Sequence, residues 1–329
     1  MLNTQQPLVS VLMPVHNAAN YLNEAIKSIL HQTYTNFEFI IVNDGSTDSS
    51  EQIIKSIKDE RIKYHFLKEQ QGIVAALNFG LGLAQGDFIA RMDADDISLK
   101  HRLEKQVAMM LNNPEIGILG TQYIGINGRS RALPILHDDI VWHTLNASSF
   151  VHPSVMFRGD FVRKYKITYT STFQFAEDLA MWVECFSKTR LANLNEPLIK
   201  YRYHNGTHKK NLETVALLNT EIKQELIKQL LPTLSLLQRL TLANYLNRHV
   251  KQAYSINWFK QLLVFFDEVL LASGNETRLK QELNKCVWFH LTACPKLYFK
   301  LQPELGSRKW IKLGVAKTIW LVVKNLKIN

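Results

Sequence analysis

Within the first 96 residues, short apolar runs alternate with helical patterns, and the fourth run leads straight into an acidic string. Val9–Val15 (VSVLMPV) is apolar and rich in valine, and Tyr21–Leu30 then spaces its apolar residues at helical intervals. The unit recurs. Phe37–Val42 (FEFIIV) precedes the turn Asn43–Ser46 and a helix over Ser49–Ile57; Ile62–Phe66 precedes a helix over Ile73–Ala84, with Gly86 expected as its C-cap. Asp87–Ala90 is the fourth strand and runs into Arg91-Met92-Asp93-Ala94-Asp95-Asp96. Strands that are apolar on both faces imply an α/β fold, a mostly parallel sheet with helices on each side. Ligands bind beyond the carboxyl ends of such strands, where His16, Asn17, Asp44, Gly45, Asp93 and Asp95 fall.

The acidic string carries chemistry only in that position, because a D-x-D triplet arises by chance about 0.4 times in a chain with this aspartate content. If residues 93–95 are extended, Asp93 and Asp95 point the same way, and two such close like charges call for a raised pKa or a bound cation. Hard oxygen ligands suit Mg²⁺ or Mn²⁺. The plainer alternative is that Asp95 or Asp96 caps a helix beginning near Ser98. No G-x-G-x-x-G follows the first strand, only Pro14-Val15-His16-Asn17-Ala18-Ala19, which speaks against a dinucleotide dehydrogenase. No G-x-x-x-x-G-K-[ST] is present either, and Gly80-Leu81-Gly82 lies late in a helical pattern, so a polyphosphate would be held mainly by metal. A nucleotidyltransferase would open with a basic, glycine-rich loop that this chain lacks.

Composition divides the chain. Its 329 residues are 46% hydrophobic, enough for a sizeable core. Residues 1–206 are nearly neutral (20 basic, 21 acidic), whereas residues 207–329 carry 19 basic and 8 acidic groups, so the two are expected to be separate domains. Cys185, Cys286 and Cys294 form no C-x-x-C pair, which fits a reducing compartment better than a disulfide framework. Met1–Pro7 lacks Lys and Arg, and no stretch reaches the ~18 uncharged apolar residues of a spanning helix. The expectation is a cytoplasmic protein, peripheral on the cytoplasmic face of a membrane.

The ordered string 9–48 (VSVLMPVHNAANYLNEAIKSILHQTYTNFEFIIVNDGSTD), 72–98 (GIVAALNFGLGLAQGDFIARMDADDIS), 102–106 (RLEKQ), 176–182 (AEDLAMW) and 201–207 (YRYHNGT) resembles glycosyltransferase family 2, with its GT-A fold. The resemblance covers about 200 residues and implies a nucleotide-sugar donor, a divalent metal (Mn²⁺ or Mg²⁺) and inversion at the anomeric carbon. By that likeness Asp44 meets the base, Asp93 the ribose, and Asp95, with Asp93 beside it, the metal. Pro14, His16, Asn17, Gly45 and Arg202 join the donor-binding candidates, although Arg202 could equally pair with a nearby carboxylate. Asp178 matches the catalytic base of the family's E-D motif, and Glu177 an orienting or acceptor-binding carboxylate; an acidic pair favouring a helix N-terminus explains the same letters. His204 looks like the histidine that completes the metal shell, or is a packed surface residue. His152-Pro153-Ser154 is expected on the acceptor side, but Ser148–His152 stands where many relatives have a glycine-rich loop, and His16 stands where Tyr is commoner.

Beyond residue 207 the pattern is helical, over Leu212–Leu230, Leu234–Val250, Trp258–Leu271 and Leu279–Leu291. In Lys309–Lys327 five lysines face away from Ile311, Val315, Ile319, Val322 and Leu326, with Trp310 and Trp320 at the boundary. That is the profile of a helix lying in an anionic membrane interface. No nucleic-acid-binding module is recognisable. The chain lacks the Q-x-x-R-W motif of processive relatives, so the resemblance implies transfer of one hexose or N-acetylhexosamine from a nucleotide sugar, expected to be UDP-linked, to a saccharide acceptor. A lipid-linked unit of capsule, O-antigen or lipooligosaccharide would suit a membrane-leaning tail. The alternative is a catalytically silent GT-A domain that binds saccharide or scaffolds an assembly.

Overall fold

The computed structural model describes residues 6–203, 212–247, 256–273 and 277–293. Two compact units form, residues 1–141 with 148–207, and residues 142–147 with 208–329. The first holds eight strands: β1 (Val9–Val15), β2 (Phe37–Asp44), β3 (Ile62–Leu67), β4 (Phe88–Arg91), β5 (Ile97–Ser98), β6 (Ile116–Gly125), β7 (Met156–Arg158) and β8 (Arg190–Tyr201). They make one sheet in the order β3-β2-β1-β4-β7-β6-β8-β5. β3, β2, β1 and β4 run parallel to one another, as do β6 and β8, while β7 runs against both β4 and β6 and the edge strand β5 against β8. The sheet is thus a mostly parallel one with an antiparallel strand at its centre.

Among the described residues seven α-helices accompany these strands along the chain: α1 (Ala19–Leu30), α2 (Ser50–Ser56), α3 (Ile73–Leu83), α4 (Arg102–Asn112), α5 (His137–Thr144), α6 (Gly159–Tyr165) and α7 (Glu177–Cys185). Every residue of β1 is buried, and Val9, Val11, Met13 and Val15 share a core with Leu22, Ile26 and Ile29 of α1 and Leu103 and Val107 of α4. Each such side chain contributes roughly 1.5–3 kcal/mol by leaving water. α1 has no cap of its own; the amides of Ala18 and Ala19 donate instead to Ser50 Oγ and Asp48 Oδ2, both at 3.0 Å. The two β-α turns are thereby fastened together at the sheet's carboxyl edge.

Two expectations change. α3 ends at Ala84 in an extended conformation, so Gly86 is not a C-cap. A Cβ there would lie 2.6 Å from both Phe88 O and Ser10 N, and the Gly86 amide donates to Ser10 Oγ at 2.8 Å; the glycine admits a close backbone approach. Nor do Asp95 and Asp96 cap a helix near Ser98. The two-residue β5 pairs with Lys200 and Ile199 first, and α4 begins only at Arg102.

The second unit is helical, with α8 (Leu212–Leu230), α9 (Leu236–Leu246), α10 (Ile256–Ser273) and α11 (Thr277–Ala293). Leu226, Leu242, Leu262, Phe266, Leu279 and Leu283 are fully buried. Ser235 opens α9 with a capping box to Gln238. Among the described residues no helix is long and apolar enough to cross a membrane. The basic segment Lys309–Lys327 lies outside the described residues.

Candidate active site

A cleft of about 520 Å³ opens at the carboxyl ends of β1, β2 and β4. Pro14, His16, Asn17, Asp44, Asp93 and Asp95 line it, together with Tyr21, Gln70, Gly72, Gln174 and Phe175. Asp44, at the end of β2, is 3% exposed, and its two carboxylate oxygens accept the amides of Gln71 (2.7 Å) and Gly72 (2.8 Å). Each oxygen has a second lone pair for a ligand donor. Gly45 follows at φ +62°, and a Cβ there would lie 2.7 Å from the Gln70 amide nitrogen, so both conformation and space require glycine.

The His16 ring faces the Asp44 carbonyl through Nδ1 at 2.7 Å. A carbonyl only accepts, so Nδ1 carries the proton and Nε2 accepts from Asn17 Nδ2 at 3.1 Å. Asn17, at φ +50°, also accepts the Thr47 amide at 2.8 Å. These two residues lock the β1 and β2 turns to one another at the rim of the cleft.

Asp93, Asp95 and Asp96 each place a carboxylate oxygen within 4.8 Å of the others. Asp96 is 1% exposed; Oδ1 accepts the Arg202 amide at 2.7 Å, and Oδ2 has no protein partner. Burial, then the charge of Asp93, pushes its carboxyl up to about 8 against that amide's pull. A buried carboxylate oxygen left without a donor, beside two half-buried carboxylates, fits a hard divalent cation. The unfolded value is about 3.9. With the folded value raised, Asp96 contributes stability that is complete below about pH 4 and is lost as pH rises through 8. In EDTA the melting temperature is therefore expected to fall over that interval, and Asp96→Asn to flatten the fall; an equally steep fall in the variant would show that other groups cause it.

Arg91, the last residue of β4, is 2% exposed and forms an ion pair with Asp93 through Nη1. Arg102 of α4 is fully buried and donates to the Arg91 carbonyl (2.7 Å) and to Gln106 Oε1 (3.0 Å). Gln106 in turn donates to the carbonyls of Leu119 and Ser154, both at 2.9 Å. The end of β4 is thus fixed by buried side chains, not by β-ladder bonds alone. Arg202 sits over the Tyr21 ring at 4.1 Å, donates from Nε to the Asp95 carbonyl at 2.9 Å and reaches Glu24 at 3.5 Å. It braces the acidic turn. His204 lies outside the described residues.

Glu177 and Asp178 open α7 directly after the cleft-lining Gln174 and Phe175. Glu177 is 8% exposed and its Oε2 has no protein partner; burial and the neighbouring Asp178 raise its pKa. Asp178 is half-buried, and one oxygen accepts the Leu179 amide at 2.7 Å. Phe175 adopts φ +74° with an exposed ring, a conformation that costs a bulky residue about 1–3 kcal/mol. His152 Nε2 meets the Tyr169 hydroxyl at 2.7 Å, and burial with the nearby Arg91 charge holds the imidazole well below its usual range, hence neutral at pH 7. Asn78 clamps the Tyr169 backbone through two 2.8 Å bonds. The sequence pattern does not single out Asp96 as a member of the acidic cluster, nor Arg91 or Phe175 as neighbours of the cleft. The doubled aspartate of D-A-D-D was a usable signal for the first; the others had none.

The fold and this edge define a GT-A glycosyltransferase domain, and the profile described as glycosyl transferase family 2 matches residues 10–176. The chain belongs to that family. An uncharacterized glycosyltransferase of Haemophilus influenzae is 37% identical over 215 residues, 60% of this chain and 66% of that one. The O-antigen biosynthesis glycosyltransferase WbnJ of Escherichia coli is 35% identical over 62% of this chain and 83% of its own. The S. aureus TarS fragment crystallised with UDP-GlcNAc superposes with a TM-score of 0.61 over 89% of this chain and 91% of that chain, at 21% identity, which speaks for a common fold. The matched stretches span 66%, 44% and 33% of the length of three of the curated relatives.

Proposed function

We propose that this chain moves one hexose or N-acetylhexosamine from a UDP-linked donor to a saccharide hydroxyl, with inversion. The observation that carries the reading is the convergence of Asp93, Asp95 and Asp96 beside the Asp44 cleft. Asp44 and the Pro14–Asn17 turn take the base, Asp93 the ribose, and Asp95, with Asp93 and Asp96, an Mn²⁺ or Mg²⁺ ion. Such an ion supplies charge neutralisation for a departing diphosphate. In the displacement the acceptor oxygen attacks the anomeric carbon while its proton passes to the Asp178 carboxylate. The bond from that carbon to the diphosphate oxygen breaks on the opposite side, and the nucleoside diphosphate leaves with the electron pair. Glu177 orients the acceptor.

The likeness to WbnJ, an O-antigen biosynthesis glycosyltransferase, and to TarS, which binds UDP-GlcNAc, favours surface-polysaccharide assembly and a UDP donor. A lipid-linked acceptor on the cytoplasmic leaflet suits the basic segment Lys309–Lys327, each lysine of which is worth about 1 kcal/mol at an anionic surface. Deleting residues 308–329 is expected to release the protein from anionic vesicles; unchanged co-sedimentation would contradict the membrane role. The reaction is tested by incubating the chain with a panel of sugar nucleotides and Mn²⁺ and following nucleoside diphosphate release. Turnover of one donor above the rest supports the reading. Binding without turnover of any donor or added saccharide acceptor would favour a silent domain.

A further inference from the structure

Arg91 is buried more deeply than any role in the strand requires. Its amide donates to the Val155 carbonyl at 2.8 Å and its own carbonyl accepts from Arg102, so the backbone is held whatever the side chain does. The guanidinium nonetheless lies inside, close enough to the buried Arg102 for the two cations to disfavour one another. For fold stability alone an apolar side chain of that size would serve as well or better, since the desolvation of a buried ion is seldom recovered. Its surroundings explain the charge. It holds Asp93, and the charge of Asp96 reaches it. Its charge also acts on Glu177, which opens α7, and on the bonded pair Tyr169 and His152. Two buried atoms with no protein partner, Arg91 Nε and Glu177 Oε2, belong to these same two side chains.

We propose that Arg91 is a positioning residue shared by both halves of the site: one guanidinium fixes the Asp93 carboxylate while its buried charge balances Glu177, holding donor-side and acceptor-side carboxylates in one arrangement. This rests on the proposed transferase reading. It also means that Arg91 occupies Asp93 in competition with a cation, so the residue limits metal affinity while it supports turnover. A scaffolding residue would do the reverse, since its loss would loosen the site and weaken the metal.

The test uses the full chain with Arg91→Met and Arg91→Lys, checked for folding by circular dichroism. Mn²⁺ affinity is read by electron paramagnetic resonance of the free ion, and transfer kinetics with the donor found by the panel. Arg91→Met is expected to bind Mn²⁺ about tenfold more tightly, because a like charge a few ångströms away has gone. Its kcat is expected to fall roughly a hundredfold, with donor KM within about threefold, as displaced catalytic groups require. Arg91→Lys keeps the charge without the fork, so Mn²⁺ binding stays near the wild type and kcat recovers in part. Unchanged or weaker Mn²⁺ binding in a folded Arg91→Met, or a kcat equal to wild type, overturns the proposal. If Arg91→Met does not fold, Arg91→Lys decides: lowered kcat at unchanged Mn²⁺ affinity supports it, and wild-type kcat overturns it. Should the wild type take up no Mn²⁺, the metal part of the proposed function fails, and the split of kcat from KM alone judges Arg91.

Discussion

Asp178→Asn is expected to lower transfer on the order of 10³-fold while leaving nucleotide and Mn²⁺ binding as they are. The amide keeps the shape of the carboxylate and its oxygen can still accept the Leu179 amide, so α7 should start as before. What it loses is the capacity to take a proton. Asp178 stands at the head of α7, immediately after the residues that line the cleft, and it is less buried than Glu177. The half-buried Asp178 is the more accessible of the two to an incoming acceptor, whereas Glu177 is buried and burial with the adjacent charge raises its pKa. Glu177→Gln should therefore cost less than Asp178→Asn, and the same order in kcat would support the assignment. A larger loss from Glu177→Gln would reverse the two roles.

The second large effect is expected at the acidic turn. Asp95→Ala removes one of three convergent carboxylates, and Mn²⁺-dependent turnover should fall by at least ~10³-fold, the several kcal/mol that a metal contributes to a departing anion. The fold should tolerate it: Asp95 is only half-buried, and the Asp95 carbonyl that accepts from Arg202 Nε stays in place. Asp96→Ala is a harsher change to structure, because Asp96 Oδ1 receives the Arg202 amide. Full activity of Asp95→Ala in EDTA would mean that the diphosphate is neutralised by other groups.

Much of the donor half could be read from the letters because its strands are apolar on both faces, and β1 matches its expected bounds residue for residue. β2 runs two residues further than its apolar run, to Asp44, because Asn43 and Asp44 still pair with Phe66 and Leu67. β6 gives no comparable signal. Its Gly117 and Gly120 look like loop residues, yet a Cβ at either would collide with Thr189 or with Asn193 and Phe150; they are there to let neighbours close in. β8 contains Pro197, which sits at a register shift against Gln122 where a missing donor is tolerated. In the site, Asp93 and Asp95 were legible through their place after β4. The place of Asp96 beside them was not, since a two-residue strand such as β5 has no pattern of its own and only its pairing with β8 delays α4. The left-handed Phe175 and the inward Arg91 are set by tertiary packing, and no local spacing announces them.

The most direct measurement is anomalous scattering at the manganese edge from crystals grown with UDP and MnCl₂. The expected result is one Mn²⁺ peak bonded to Asp95, shared with the carboxylates beside it, and the uracil ring against Asp44. UDP bound in that cleft with no manganese near residues 93–96, or manganese held only by other residues, would contradict a donor site built on this acidic turn.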